Sequence, residues 1–136
     1  MSFRNDIIIW TSKVGDRLDY IAKESVREVY NDVRVPVSRG GNMPVISGNL
    51  RNSIQISKTG MVSAAYVPIE GEKLPDPTST VNAVIDNSVL GDKIFLAFTV
   101  AYAVYVNRRR AFVQLTSMKW DAIVKNKISA AKRKFQ

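Results

Sequence analysis

A chain of 136 residues, 46% of them hydrophobic, is long enough for one domain with a sizeable core and has the composition of a globular protein. It carries 20 Lys and Arg against 12 Asp and Glu, and it contains neither Cys nor His. These counts exclude disulfides, thiol catalysis, the usual zinc sites and an imidazole base. No apolar run approaches the roughly 20 residues that span a bilayer, which predicts a soluble, untargeted protein that does not bind membranes.

The formal net charge of +8 is concentrated at one end of the chain. Residues 1–107 contain 11 basic and 11 acidic residues, whereas residues 108–136 contain 9 basic residues and a single acidic one. Such a block can form a surface for nucleic acid or for an acidic partner. Alternatively, the basic block has no binding role, because the helix dipole favours Lys and Arg near the C-terminus of a helix and these residues keep its outer face solvated.

The first quarter of the chain has the periodicity of a long amphipathic helix. Apolar residues such as Ile7, Leu18 and Val26 recur at three- and four-residue steps over residues 3–33. Gly15 weakens this pattern and predicts a kink or break nearby. Unbroken, about 30 residues would extend roughly 45 Å, which exceeds the roughly 37 Å diameter of a domain of this size. We therefore expect the helix either to bend or to pack its end on another subunit.

Two strands are predicted after the Pro- and Gly-rich segment that ends this helix. Residues 53–58 alternate as a strand, and residues 61–67 are predicted to pair with it across a turn at Thr59 and Gly60. The prolines and glycines of residues 68–80 then predict an extended loop. We expect this loop to become ordered only in the assembled protein, because it has little core of its own.

A short helix and another strand follow the loop. Ser79 or Thr80 is predicted to cap the helix, which runs through Asn87. The apolar run over residues 93–100 is predicted to be a central strand of the sheet.

Helices are predicted to end the chain. We expect one helical turn at residues 102–106 and a basic C-terminal helix at about 112–135. The residues expected to meet in one core are Leu50, Ile54, Leu96, Phe98 and Trp120. The layout predicts a single α+β domain over residues 1–136, in which the long N-terminal helix and the C-terminal helix pack on a small, mainly antiparallel sheet, with a short helix and an extended loop between strands.

Two short motifs point to function. The first motif is Pro44-Val45-Ile46-Ser47-Gly48-Asn49-Leu50-Arg51-Asn52-Ser53-Ile54, and the second motif is Ala101-Tyr102-Ala103-Val104-Tyr105-Val106-Asn107. Neither motif supplies a nucleophile, a base or a set of metal ligands. Both therefore favour a role in assembly over a role in catalysis.

Both motifs also have purely structural interpretations. Gly48 permits a turn with positive φ, Leu50 can anchor that turn to the core, and Arg51 is then free to bind a carboxylate. Alternatively, the segment is merely a turn from helix to strand. Tyr102 and Tyr105 lie three residues apart, so one helical turn places them on the same face, and such a pair usually belongs to the core.

The first motif resembles the Pro-Val-x-x-Gly-x-Leu-Arg-x-Ser-Ile segment of a family of small phage proteins, and the second resembles that family's Tyr-Ala-x-Tyr-Val segment. Members of the family lie at the head–tail junction or complete the tail of long-tailed phages. Their order of elements also fits this chain. The family usually has Glu and then Gly after the second motif, whereas this chain continues into Arg108, Arg109 and Arg110, here called the arginine triplet. We expect a tighter turn at the triplet.

The resemblance implies a virion structural protein without enzymatic activity, a neck or tail-completion protein assembled in the host cytoplasm and located at the head–tail junction. It implies a homo-oligomeric ring, a hexamer, that contacts other neck, adaptor or tail-tube proteins and passes DNA through its lumen without sequence-specific binding. We expect no cofactor and no metal. The predicted interface residues are Asn49, Arg51, Glu70, Glu72, Arg108, Arg109 and Arg110.

The main alternative is a small basic nucleic-acid-binding protein that uses residues 108–136. Trp120 and Phe135 fall on the predicted buried stripe of the C-terminal helix, so they are poor stacking platforms and binding would depend on charge. A hydrolase is a more distant alternative. Carboxylate pairs such as Asp16 and Asp19 exist, but they lie on a solvated helix face or on the loop, with no aromatic pocket nearby.

Overall fold

The computed structural model of the protein describes residues 3–45 and 47–134, and the side chains of these residues from Arg17 onward. This part of the chain forms six α-helices packed on a two-stranded antiparallel sheet, which confirms the predicted α+β fold. The helices are α1 (Phe3–Val33), α2 (Asn49–Asn52), α3 (Thr78–Asp86), α4 (Ala103–Arg110), α5 (Phe112–Ser117) and α6 (Trp120–Lys134), with a 3-10 turn at Val37–Arg39. The strands are β1 (Ile54–Ser57) and β2 (Phe95–Phe98). None of the helices in the described ranges is long and apolar enough to cross a membrane.

The helix α1 confirms the long helix predicted over residues 3–33. It continues through Gly15, so the break expected there is wrong. One Gly costs a helix interior about 1 kcal/mol, and the many better helix formers on either side outweigh it. The most buried side chains of the described half of α1 are Ser25, Tyr30 and Val33.

The last helix runs antiparallel to α1. Lys119, just before α6, forms an ion pair of 3.1 Å with Asp32, and the Lys134 ammonium lies 4.7 Å from the centre of the Tyr20 ring. The end of α6 therefore lies beside Tyr20 of α1. Since α1 begins at Phe3, 17 of its residues come before Tyr20, and this part of the helix is roughly 25 Å long at 1.5 Å per residue.

The strand predicted at residues 53–58 is confirmed as β1, but its predicted partner is wrong. β1 pairs with β2, with Ile54 opposite Phe98. Residues 61–67 form no strand, and Tyr66 makes an isolated bridge to Val100. The sheet therefore has two strands, and β2 has β1 on one side rather than lying between two full strands.

Burial explains the change of partner. The ring of Phe98 packs edge-on against Phe112, with 5.1 Å between the ring centres, so pairing through β2 places a large apolar side chain in the core. Met61 and Val67 remain 66% and 71% exposed. Apolar burial therefore favours the pairing of β1 with β2 over the predicted pairing with residues 61–67.

The segment between β1 and β2 contains the predicted loop and the short helix. The loop is confirmed over residues 68–77, but α3 begins at Thr78, earlier than predicted. The Asp76 carboxylate accepts a hydrogen bond of 2.9 Å from the Thr78 amide. Asp76 therefore satisfies an N–H at the start of the helix, and neither Ser79 nor Thr80 is its cap.

The C-terminal helix starts at Phe112 as predicted, but it is divided. A break at Met118 and Lys119 separates α5 from α6, and Phe135 lies outside the described residues. The break shifts the helical periodicity, so Trp120 is 45% exposed instead of buried. The helix predicted as a single turn at residues 102–106 is also longer, because α4 extends to Arg110.

The core lies between α1, the sheet and α3. Of the five residues predicted to meet there, Leu50, Ile54 and Phe98 are buried in one cluster and Leu96 packs against it, whereas Trp120 does not take part. The other buried members of the cluster are Tyr30, Val33, Met43, Val81, Ile85, Val100, Ala103 and Phe112.

Candidate functional site

The two motifs meet in space and line one open cleft. They are separated by about fifty residues of sequence, and the fold brings them together around a volume of about 510 Å³, here called the motif cleft. Its lining residues are Pro44, Ser47, Gly48, Leu50, Tyr102, Val106, Arg109 and Arg110. The motif cleft thus combines an apolar floor with two guanidinium groups.

The first motif is shaped by a glycine turn, as predicted. Gly48 has φ of 84° and precedes α2, a conformation that costs other L-residues roughly 1–2 kcal/mol. Leu50, two residues later, is 5% exposed and belongs to the core cluster. The turn is therefore fixed against the core, and its surface forms one wall of the motif cleft.

The second motif and the arginine triplet supply the other wall, through one face of α4 and the residue before it. Tyr102, Val106, Arg109 and Arg110 are spaced by four, three and one residues, so they fall on neighbouring positions of a helix surface. Tyr102 and Tyr105 are 40% and 63% exposed, so the prediction that they belong to the core is wrong. The side of α4 that enters the core instead carries Ala103.

The arginine triplet is helical and does not form the tighter turn expected from the sequence. All three residues are in the last turn of α4 and exposed, where the partial negative charge of the helix C-terminus favours cations. The turn comes one residue later, at Ala111, with φ of 52°.

The members of the triplet differ in their surroundings. Arg109 and Arg110 line the motif cleft, and Arg108 is not among its lining residues. The Arg109 guanidinium also lies 6.0 Å from the centre of the Tyr105 ring, within the range of a cation–π contact. No acidic side chain in the described part of the chain forms an ion pair with any of the three.

Asn49, predicted to lie at an interface, holds the extended loop of its own subunit. It is 6% exposed. Its Nδ2 donates a hydrogen bond of 2.8 Å to the Glu72 carbonyl, and its Oδ1 accepts one of 2.8 Å from the Leu74 amide. Both ends of the amide are thus used within the subunit, and Asn49 has a structural role.

Arg51 is likewise not free to bind a carboxylate through its whole guanidinium, as the sequence had suggested. Its Nε donates a hydrogen bond of 2.8 Å to the Arg34 carbonyl. The Arg34 Nε donates one of 3.1 Å to the Arg51 carbonyl in return. The pair joins the end of α1 to α2, so Arg51 serves the fold.

Arg34 is a key residue that the sequence did not single out. It is 4% exposed, and it donates hydrogen bonds to Thr78 Oγ1 at 3.1 Å and to Asn52 Oδ1 at 2.8 Å. Its Nη2 lies 3.5 Å from the Asp76 carboxylate. Its fourth partner is the Arg51 carbonyl. No short motif indicates this role, because the partners lie at residues 51–52 and 76–78, far from Arg34 in the sequence.

Glu70 and Glu72 lie on the extended loop, as predicted, but in different environments. The Glu72 carboxylate accepts hydrogen bonds from the Tyr66 hydroxyl at 2.5 Å and from the Ile69 amide at 3.1 Å. The hydrogen bond from the Tyr66 hydroxyl to Glu72 raises the pKa of Tyr66 above its usual value. Glu70 is exposed, next to Ile69, which is 76% exposed.

The loop has more support within the subunit than expected. Asn52 Nδ2 donates a hydrogen bond of 3.1 Å to the Leu74 carbonyl, and the Leu74 side chain packs against the core cluster. The premise that an isolated subunit offers the loop nothing to bury against is therefore wrong.

The basic C-terminal segment is partly neutralised by α1. Lys119 pairs with Asp32, and Lys127 lies 3.6 Å from the Glu28 carboxylate. Among the side chains from Arg17 onward, no group of three or more acidic residues is placed to hold a metal ion.

Comparison with known proteins gave no match to any family model, to any curated protein or to any solved structure. The resemblance of the two motifs and the geometry of the motif cleft are therefore the basis for proposing a function.

Proposed function

We propose that this chain is a virion structural protein of a long-tailed phage, a neck or tail-completion protein that joins the head to the tail as one subunit of a ring. The observation that carries the proposal is the motif cleft. The two motifs that resemble the phage family are distant in sequence and line the same cleft. A shared surface is what a common assembly function would require of both segments.

The chemistry of the cleft supports binding rather than catalysis. Its floor is formed by Pro44, Leu50 and Val106, and its charged groups are the guanidinium groups of Arg109 and Arg110. Arg pairs with carboxylates in a bidentate geometry, and apolar surface beside it adds affinity once water is excluded. The cleft therefore suits a protein segment that carries an apolar residue next to a carboxylate.

The length of α1 also supports an oligomer. The helix runs unbroken from Phe3 to Val33, and its first 17 residues precede Tyr20, beside which α6 ends, so we propose that this end of α1 packs on another subunit. By resemblance, the ring is a hexamer that contacts neck, adaptor or tail-tube proteins, lies in the virion at the head–tail junction and passes DNA through its lumen.

The test is the variant in which Arg108, Arg109 and Arg110 are all changed to Ala. It should fold, because all three side chains are exposed, and it should leave unjoined heads and tails in an infected-cell lysate viewed by electron microscopy. A matched control changes Lys125, Lys132 and Arg133 to Ala, which removes the same charge from exposed positions on α6. Normal virions from the triplet variant would contradict the proposal.

A second candidate is nucleic-acid binding through residues 108–136, and one observation favours it. Trp120 is 45% exposed and Met118 79% exposed, so an aromatic ring that was expected to be buried is available for base stacking. The pairing of Lys119 and Lys127 with carboxylates of α1 weakens this candidate, because fewer cations remain for phosphates.

The two candidates give different results in a filter-binding assay with DNA. Binding through phosphates should fall linearly with salt concentration on a log–log plot, and Trp120→Ala should weaken it more than Lys125→Ala if the ring stacks on bases. Loss of DNA binding in the triplet variant, together with normal virions, would favour the second candidate.

A further inference from the structure

We propose that the motif cleft binds a second copy of this chain, which inserts the tip of its extended loop so that Ile69 contacts the apolar floor and Glu70 pairs with Arg109 and Arg110. The inference deepens the proposed function, because it names a contact between two subunits of the proposed assembly, and it rests on that function for the role of the assembly. The contact itself is defined by the surface chemistry of the chain and can be tested on purified protein.

The loop tip has the properties of an anchor. Val67 and Ile69 are 71% and 76% exposed, and neither finds a place in the core of its own subunit. The tip is nevertheless held in one shape, because the Glu72 amide donates a hydrogen bond of 3.0 Å to the Ile69 carbonyl and the Glu72 carboxylate accepts one from the Ile69 amide. An apolar side chain on a preorganised turn loses little conformational entropy on binding.

Charge identifies the partner of the cleft. Among the carboxylates from Arg17 onward, seven form ion pairs and Glu72 is hydrogen-bonded. Glu70 and Asp121 are the two described carboxylates without such a contact. Glu70 adjoins an exposed Ile on a turn, and the motif cleft offers two cations beside an apolar floor. The same chain therefore carries both halves of a complementary contact.

The positions of the two halves allow the contact to form between copies. Tyr102 and Ser47 line both the motif cleft and an adjoining hollow that Val67 and Ile69 also line, so the loop tip and the cleft lie next to each other on one face. Two copies that face each other can therefore exchange loops reciprocally about a two-fold axis. Each loop tip then reaches the motif cleft of the other copy.

Charge reversal tests the contact. Sedimentation velocity of the purified full chain over a concentration series should show an oligomer, and Glu70→Arg should reduce the association constant at least tenfold, as should the double variant R109E/R110E. Each variant carries like charges at the proposed contact. Cooperative thermal unfolding of both variants checks that they are folded.

Rescue distinguishes a direct contact from a general charge effect. The triple variant E70R/R109E/R110E and an equimolar mixture of E70R with R109E/R110E should both regain the oligomer, because opposite charges then face each other again. Asp121→Arg is the matched control for the acidic half, and K132E/R133E for the basic half, and neither should change association. A monomeric wild type, undiminished association in E70R, loss through D121R instead, or failure of the rescue would each overturn the inference.

Failure of the inference and failure of the proposed function are separable. In one outcome, association follows the charge-reversal pattern but the variant R108A/R109A/R110A gives normal virions. This outcome would support the contact between copies and contradict the proposed role at the head–tail junction. A monomeric wild type together with unjoined heads and tails from that variant would support the junction role and give the cleft a different partner.

Discussion

Arg34 shows how one buried side chain can organise a small fold. A guanidinium has five N–H donors, and here they reach a carbonyl of α2, the side chain of Asn52 and the start of α3. Its face lies 4.8 Å from the centre of the Tyr30 ring. A Lys at this position has no planar fork and could not make these contacts together.

Asp76, at the edge of the Arg34 network, makes the free energy of unfolding depend on pH in the acid range. Hydrogen bonds from the side chain and the backbone of Thr78 hold the pKa of the Asp76 carboxyl below its usual value, and the Arg34 charge adds to this. Since the folded pKa is lowered, the stabilisation is present above the unfolded pKa of about 3.9 and is lost as the pH falls through the folded pKa.

We predict that Asp76→Asn lowers the midpoint of urea unfolding at neutral pH and that the difference from the wild type shrinks as the pH falls to about 2. Comparing the two proteins removes the effect of the other carboxylates, which titrate in both. A difference that stays constant down to this pH would show that the charge of Asp76 has no part in stability.

Leu50 tests whether the first motif is anchored as we infer. It is 5% exposed, so Leu50→Ala should reduce the free energy of unfolding by about 2–5 kcal/mol. Leu90→Ala is a control for the side-chain change, because Leu90 is 47% exposed and its truncation should cost less than about 0.5 kcal/mol. Equal chemical-denaturation midpoints for the two variants would contradict the anchoring.

At the scale of the elements, the break after α4 is made by a residue poorly suited to it. Ala111 adopts a left-handed conformation with φ of 52°, and its amide donates a hydrogen bond of 2.7 Å to the Asn107 carbonyl. This is the position at which helices usually carry Gly, since Cβ makes the left-handed conformation costly. The conformation is therefore imposed by the packing of α4 and α5, with Ala103 and Phe112 both buried.

We predict that Ala111→Gly stabilises the protein by about 0.5–1 kcal/mol, because relief of the left-handed strain exceeds the entropy that Gly adds to the unfolded chain. Ala122→Gly, at an exposed position inside α6, should do the opposite and cost about 1 kcal/mol. Thermal unfolding of both variants measures whether each change raises or lowers the melting temperature. A lower melting temperature for Ala111→Gly would refute the strain argument.

At the scale of the whole molecule, polar side chains tie segments together that the sequence separates widely. Asn49 connects the first motif to the extended loop, and Arg34 connects the end of α1 to the start of α3. These contacts place the loop tip beside Tyr102 and hence beside the motif cleft. The loop that we propose as a docking element is therefore positioned by buried polar groups rather than by a strand.

We predict that the Leu74 amide is protected from hydrogen exchange in the free subunit and that Asn49→Ala removes this protection, because the amide loses its acceptor at 2.8 Å. The buried groups left unpaired should also cost about 1–3 kcal/mol. Asn126→Ala, at an exposed position of α6, should leave the exchange of Leu74 unchanged. Fast exchange of Leu74 in the wild-type subunit would restore the view that the loop is ordered only by assembly.

Several elements can be predicted from local sequence pattern alone. The apolar period gave the bounds of α1, alternation gave β1, and Gly48 with Leu50 gave the turn of the first motif. Each of these follows from the conformational preferences of a few neighbouring residues and from the periods of 3.6 and 2. The resemblance of the two motifs to a phage family also came from the sequence, and the proposed function still depends on it.

The tertiary structure selects which segments meet. It paired β1 with β2 instead of with residues 61–67, exposed Trp120 by dividing the last helix, and used Asn49 and Arg51 inside the subunit. The physical reason is that apolar burial and the pairing of buried polar groups are satisfied over the whole molecule. The motif cleft is a result of the same kind, since its walls come from two segments about fifty residues apart and no local pattern brings them together.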